Sequence, residues 1–258
     1  MISTYTSYRM ATRDLDRTLS LKLQEAPVKL ETTYYLENIS KVKNVDEFLE
    51  DTRLFKYAMK AFGLEEMSHA KGLMRKILSE SLDDPKAYVN RLDDDRFKEF
   101  ALSFNFVDSG SVVTELALAR EDVVSRYVRQ SLESDLGQEN EGVRLALYFE
   151  RNVDSLKSGY SILADPALQE VVFTALGFPD EMKGANIDNQ AATIEKRLDV
   201  ASLKDPKELE KFLARFTAMW DMKTGVQTSP ILTLFSRQPQ TSIGLDLAMT
   251  FNQFRRGG

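Results

Sequence analysis

The chain matches itself. Sliding the sequence by 114 positions places Tyr34-Tyr35 on Tyr148-Phe149, Asn38-Ile39 on Asn152-Val153, and Val42-Lys43 on Leu156-Lys157. At the same offset Phe48-Leu49 falls on Ile162-Leu163, Asp51 on Asp165, Leu54 on Leu168, and Ala61 and Gly63 on Ala175 and Gly177. Further on, Ser81-Leu82-Asp83-Asp84-Pro85 matches Ser202-Leu203-Lys204-Asp205-Pro206 at an offset of 121, and Phe100 and Phe104 match Phe212 and Phe216 at 112. A tandem repeat of this kind is ordinarily one structural unit duplicated so that the copies pack together. It divides the chain into an N-terminal helical segment (1–33), a first repeat copy (34–106) and connecting helices (107–147). A second copy (148–220) and a linker with a C-terminal helix (221–258) complete it.

Local signals inside each copy predict helices. Asp165 is an N-cap whose carboxylate can accept a bond from an orphan N–H, and Pro166 sits in the first turn, where its missing N–H costs nothing. Leu168, Val171, Val172 and Ala175 then step by three and four, an apolar helical face. Gly177 supplies the left-handed residue after the helix, and Phe178 the apolar contact that follows it. In the first copy Asp51 or Thr52 caps the start, Leu54, Tyr57, Ala58 and Ala61 form the face, and Gly63-Leu64 ends it. The two Asp-Pro pairs predict a later helix start in each copy. Met67, Leu73, Met74, Ile77 and Leu78 form another stripe, as do Val124, Tyr127, Val128, Ser131 and Leu132, with Gly137 expected to interrupt the latter before Glu139. Strand signals are hard to find. The expected class is all-α, with the two copies packed together and flanked by terminal helices.

Composition narrows the function. The 258-residue chain is 43% hydrophobic, enough for a sizeable core, and its net charge of −6 opposes a nucleic-acid role, which needs a concentrated positive face. Cysteine is absent, so disulfides, Cys-based zinc sites and thiol nucleophiles are excluded. No apolar run approaches the roughly 20 residues that span a bilayer, and the first residues lack the apolar stretch of a secretory signal. A soluble chain without membrane insertion is the expectation.

Catalytic patterns are scarce. The single histidine, His69, sits among Glu65, Glu66 and Lys71 on an expected helix, and reads as a surface residue. Without a second histidine no paired-histidine metal site can be built. Asp83-Asp84 and Asp93-Asp94-Asp95 read as caps or a solvated turn. Asp14, Asp16 and Glu25 mimic a calcium loop, but Leu19 stands where that loop demands glycine. Ser40 and Lys43 satisfy Ser-x-x-Lys without its companion motifs. Phosphate-loop, dinucleotide and nucleophile-elbow patterns are missing. Phe100, Phe104, Phe106, Phe212, Phe216 and Trp220 recur at helical spacing and read as core. The residues therefore indicate no catalytic site, metal or cofactor.

The ends suggest docking surfaces. Tyr5, Tyr8, Thr12, Leu15 and Leu19 step by three and four, a short heptad-like seam. Ile243, Leu247, Thr250 and Phe254 repeat that step, and Phe251 widens the face. Between them, TGVQTSPILTLFSRQPQTS reads as a linker. The C-terminal helix is expected either to fold back onto the N-terminal one or to dock on a protein partner as an amphipathic helix in a groove.

The stretches SYRMATRDLDRTL and ETTYYLENISKVKNVDEFLEDTRLFKYAMKAFGLEEM resemble an uncharacterised bacterial family, domain of unknown function twelve-seventeen, whose members are often encoded among flagellar genes. The resemblance implies a cytoplasmic helical protein linked to flagellar assembly or motility, leaves export through the flagellar apparatus open, and carries over no catalytic residues. Three readings follow: a non-enzymatic interaction protein, accessory or chaperone-like, that binds flagellar components; a small-molecule sensor with a pocket between the copies; or an enzyme without a recognisable motif.

Overall fold

The computed structural model describes residues 2–92 and 94–225, and among them the chain is helical with no strand. The N-terminal region forms α1 (Thr4–Thr12) and α2 (Leu15–Gln24). Asp14 breaks the expected continuous seam, because its carboxylate caps α2 by accepting a bond from the Arg17 N–H at 3.2 Å. The two halves of the seam then part company: α1 packs on the C-terminal half of the molecule and α2 on the N-terminal half.

The first half comprises α3 (Ala26–Ile39), α4 (Val45–Glu50), α5 (Thr52–Ala61), α6 (Lys71–Leu78) and α7 (Asp95–Ser103). A short helix, α8 (Phe106–Ser109), and two 3-10 turns lead into the long α9 (Glu121–Glu139). The second half comprises α10 (Glu141–Asn152), α11 (Gly159–Leu163), α12 (Pro166–Leu176), α13 (Ile187–Arg197) and α14 (Pro206–Thr224). The order helix, short helix, helix, 3-10 turn, helix, 3-10 turn, helix thus occurs in both halves, with one additional 3-10 turn, Val153–Ser155, after α10 in the second.

The side-chain bonds that hold each half recur at the 114 offset. The Tyr34 hydroxyl donates to Asp51 Oδ2 at 2.7 Å, and the Tyr148 hydroxyl to Asp165 Oδ2 at 2.6 Å. Asn38 and Asn152 each donate a side-chain N–H to the carbonyl four residues back, at 2.7 Å in both cases. Asp51 caps α5 through the N–H groups of Arg53 and Leu54, and Asp165 caps α12 through those of Ala167 and Leu168. Gly63 and Gly177 adopt φ of 68° and 65°, the left-handed conformation that ends a helix at little steric cost.

Two expected helix signals resolve differently. Asp205-Pro206 does start α14, but Asp84-Pro85 enters a turn in which Asp84 accepts a bond from the Lys86 N–H at 2.8 Å, and α7 instead starts behind Asp94. The 3-10 turns at Tyr88–Arg91 and Val200–Lys204 are related by 112, the offset of the phenylalanines, so the Asp-Pro match at 121 is local. Gly137 does not interrupt α9. A Cβ there would lie 2.8 Å from Arg144 Cδ, so the glycine admits a side chain of α10 rather than ending a helix.

Two hydrophobic cores result. One joins α3–α9 around Phe48, Phe55, Phe100 and Phe104, all fully buried. The other joins α10–α14 around Phe149, Val171, Val172, Leu213 and Phe216, with Tyr8 of α1 inserted. At the base of α1 a polar knot fastens the second half. The Thr4 N–H and hydroxyl donate to buried Asp221, and Asn140 donates to the Thr4 hydroxyl at 2.8 Å. Among the described residues no helix is long and apolar enough to cross a membrane.

Candidate functional site

Two cavities flank α9. The first is an apolar groove of about 380 Å³ between α2, α3 and α9. Leu19 and Leu23 stand one turn apart on α2, Val124 and Val128 one turn apart on α9, and Leu36 of α3 forms part of the lining. Side chains four apart make the ridges between which another helix can settle. Arg120, Glu121, Ser20 and Ser125 complete the lining. Lys22, only 5% exposed, pins α2 to α9 by pairing with Asp135, and also pairs with Glu25. Burial alone would lower the Lys22 ammonium, but the bonds to Asp135 and Glu25 outweigh it and raise it, so the tie stays charged at neutral pH.

The second cavity is a polar cleft of about 720 Å³ where the two halves meet. Arg96 of α7, Arg126 and Arg129 of α9 and Arg151 of α10 converge there, with Asp94, Glu99 and Asp165 among the acids. Each guanidinium has a protein acceptor. Arg96 holds Asp94 at 2.7 Å and the Gly63 carbonyl at 2.9 Å, and Arg126 holds Glu99 at 2.7 Å. Arg129 and Arg151 share Glu133, which is 1% exposed, at 2.8 and 3.2 Å. Arg126 also lies 4.8 Å from the Phe62 ring centre and Arg151 5.2 Å from that of Tyr148. Burial would raise the Asp94 carboxyl, yet Arg96 holds it below its ordinary value, away from the range a general base needs at neutral pH. The arrangement is a charge-compensated joint, open to a polar ligand able to exchange with one of these ion pairs.

The expected docking residues scatter. Tyr8 is buried in the second core, and Tyr5 packs against that core with its hydroxyl 3.4 Å from Glu210. Leu15 is half-buried at the start of α2. Leu19 alone of these lines the groove. Ile243, Leu247, Phe251 and Phe254 lie outside the described residues. His69 is exposed in the loop before α6, not on a helix, and its Nδ1 sits 2.7 Å from the Glu66 carbonyl oxygen. Leu23 and Leu36 went unnoticed in the sequence, although Leu23 stands one helical turn beyond Leu19 and continues the same face. The four arginines come from three helices, α7, α9 and α10, and form no linear pattern.

Comparison with known proteins agrees with this helical architecture. A crystal structure of a protein from Agrobacterium tumefaciens is 43% identical, with a TM-score of 0.78, and the match covers 86% of this chain and 97% of that one. No curated protein matches. The profile described as "Protein of unknown function (DUF1217)" matches residues 61–209, more than half of the sequence, and the chain belongs to that family.

Proposed function

We propose that this chain is a helical interaction protein whose groove between α2, α3 and α9 takes an amphipathic helix. The setting is the one its sequence resemblance implies, accessory or chaperone-like work in bacterial flagellar assembly or motility, carried out in the cytoplasm. The observation that carries the reading is the groove itself, lined by the half-buried Leu19, Leu23, Leu36 and Val124 and by Val128, which is buried in the first core. Helix-in-groove recognition uses anchors at i and i+4. Two large apolar anchors contribute on the order of 4–5 kcal/mol before association costs, so a free partner must add contacts beyond the groove to bind tightly.

The test is genetic. In the native host, the gene is deleted and then complemented with the normal sequence or with Leu23→Asp, and swimming and filament number are scored. The expected result is lost or malformed filaments in the deletion, restored by the normal gene and not by Leu23→Asp, whose purified product keeps its helical circular dichroism. Normal filaments and swimming in the deletion strain would remove the flagellar setting. Full rescue by Leu23→Asp would remove the groove.

A second reading, a small-molecule sensor or regulator, draws on the cleft, a cavity of suitable size with converging polar groups. A panel of small polyanions and zwitterions that raises the melting temperature of the normal chain, but not of Arg126→Gln, would favour it. No thermal response to any of them would count against it.

A further inference from the structure

We infer that this chain associates with further copies of itself, head to tail. The acidic face of the first repeat copy, carrying Glu37 and Glu50, meets the basic face of the second copy of another chain, carrying Lys207 and Lys211. The template for that contact is the cleft where the two halves of one chain meet, and the groove between α2, α3 and α9 plays no part in it.

Within one chain the second copy lines the cleft with the end of α10, with α11 and with the start of α12, through Tyr148, Arg151, Ser161, Ala164 and Asp165. The first copy lines it with Asp95, Arg96 and Glu99 of α7, and α9 stands beside them. Because the sequence is duplicated, each copy owns both faces, and one of each is left over. The face left over on the first copy, 114 positions earlier, holds Tyr34, Glu37, Glu47, Glu50 and Asp51. The face left over on the second, 112 positions later, holds Lys207, Glu208 and Lys211 in the first two turns of α14. Packing fixes the second offset: Phe97, Phe100 and Phe104 belong to the first core as Leu209, Phe212 and Phe216 belong to the second. Glu37, Glu47, Glu50, Lys207, Glu208 and Lys211 are all exposed.

Charge decides which faces meet. Where the second copy has Arg151, Ser161 and Ala164, the first has Glu37, Glu47 and Glu50, so the free face of the first copy is acidic. Where the first copy has Asp95, Arg96 and Glu99, the second has Lys207, Glu208 and Lys211, an inversion at all three positions. Arg215, also exposed, continues the basic row four residues beyond Lys211. Solubility alone sets no relation between the signs of two distant faces, whereas a contact between them requires opposite ones. The acidic free face is repelled by the Asp95 and Glu99 face of another chain and attracted to its Lys207 and Lys211 face. The two patches differ, so the contact is heterologous and repeats from chain to chain, as stacked repeats do. α9 has no counterpart within the described residues of the second half, so the contact between chains is smaller than the joint within one, and weak.

Sedimentation equilibrium of the full chain at low salt, up to about 1 mM, is the test. With a dissociation constant of about 1 mM per contact, the weight-average mass at the top of that range should be roughly twice that of one chain and still rising. In about 1 M salt, where the Debye length is only about 3 Å, it should return to one chain. Lys207→Glu with Lys211→Glu gives α14 the signs of α7, and this variant should remain a single chain at every concentration. Glu37→Lys with Glu50→Lys should do the same. Mixed in equal amounts, the two variants are complementary again and should regain the mass of the unaltered chain. All four side chains are exposed, so both variants should keep the circular dichroism of the unaltered chain. A single-chain mass throughout the range would overturn the inference, as would a plateau at two chains. Association that survives either charge reversal, or that fails to return on mixing, would overturn it too.

Discussion

Gly159→Ala tests how closely two helices of the second half approach. Gly159 opens α11, and a Cβ built on it would stand 2.8 Å from the Ala191 carbonyl oxygen and 2.9 Å from Ala191 Cα. Both atoms are backbone of α13, so no side chain can swing aside, and reaching an ordinary contact of about 3.5 Å requires the helices to separate by more than half an ångström. The Gly159 N–H also donates to Glu195 Oε1 at 2.8 Å, a second tie between the same helices that separation would stretch. Overpacking of this kind costs about 1–3 kcal/mol, and replacing a helical glycine returns about 0.5–1 kcal/mol. The expected net loss is about 1–2 kcal/mol, which for a chain of this size lowers the melting temperature by about 3–6 °C. Gly72→Ala is the control: it lies in α6 with nothing within 4 Å of the added carbon, and should gain up to about 1 kcal/mol. Urea denaturation with an unchanged slope would read both directly. A Gly159→Ala protein as stable as the unaltered chain would refute the close-approach argument. The position 114 residues earlier, at the start of α4, holds Val45.

Two further outcomes follow from the buried polar groups. Asp51→Ala and Asp165→Ala each remove a helix cap and the acceptor of a tyrosine hydroxyl, and should each cost about 2 kcal/mol. Double-mutant cycles with Tyr34→Phe and Tyr148→Phe should give a favourable coupling in each half, and a coupling present in one half and zero in the other would break the equivalence. Glu150 on α10 has a buried Oε2 with no hydrogen-bond partner among the described residues, and burial raises its carboxyl above the ordinary value despite Arg129 nearby. Its raised folded-state value means that protonation favours the fold. Relative to Glu150→Gln, the normal chain is then at its best below the ordinary glutamate range and loses ground as pH rises through the folded-state value. Glu150→Gln should therefore be the more stable protein at neutral pH, by up to about 1 kcal/mol, with the advantage vanishing in acid. Parallel melting curves from pH 4 to 8 decide it, and a difference independent of pH would refute the assignment.

Much of the fold was legible because its boundaries are set by single residues with strong local chemistry. Asp51 and Asp165 cap, Pro166 begins, and Gly63 and Gly177 end, each through a backbone bond or angle that no distant contact overrides. Misreadings arose where one residue type serves two geometries. Gly137 carries the breaker signal of any glycine, yet its missing side chain makes room for Arg144. Asp14 sits inside an apolar step of three and four, and only its bond to the Arg17 N–H shows that the step is two helices and not one. The groove and the cleft were hidden for a different reason. Each is assembled from helices far apart in sequence, so its lining has no period, and Leu19 surfaced only because it also belongs to a local pattern.

α9 ties these features together. It turns Val123, Tyr127 and Val128 into the first core, Val124 and the edge of Val128 to the groove, and Asp122, Arg126 and Arg129 to the cleft, while Ser125 lines both cavities. Its far end holds Glu133, which receives Arg129 from the same helix and Arg151 from α10, so the joint between the halves is anchored on the helix that walls the groove. Substitutions on the two exposed faces of α9 and its neighbours are therefore separable. Leu23 does not line the cleft and Arg126 does not line the groove, so Leu23→Asp alters one cavity and Arg126→Gln the other. A phenotype confined to one of them assigns the function to one face of a single helix.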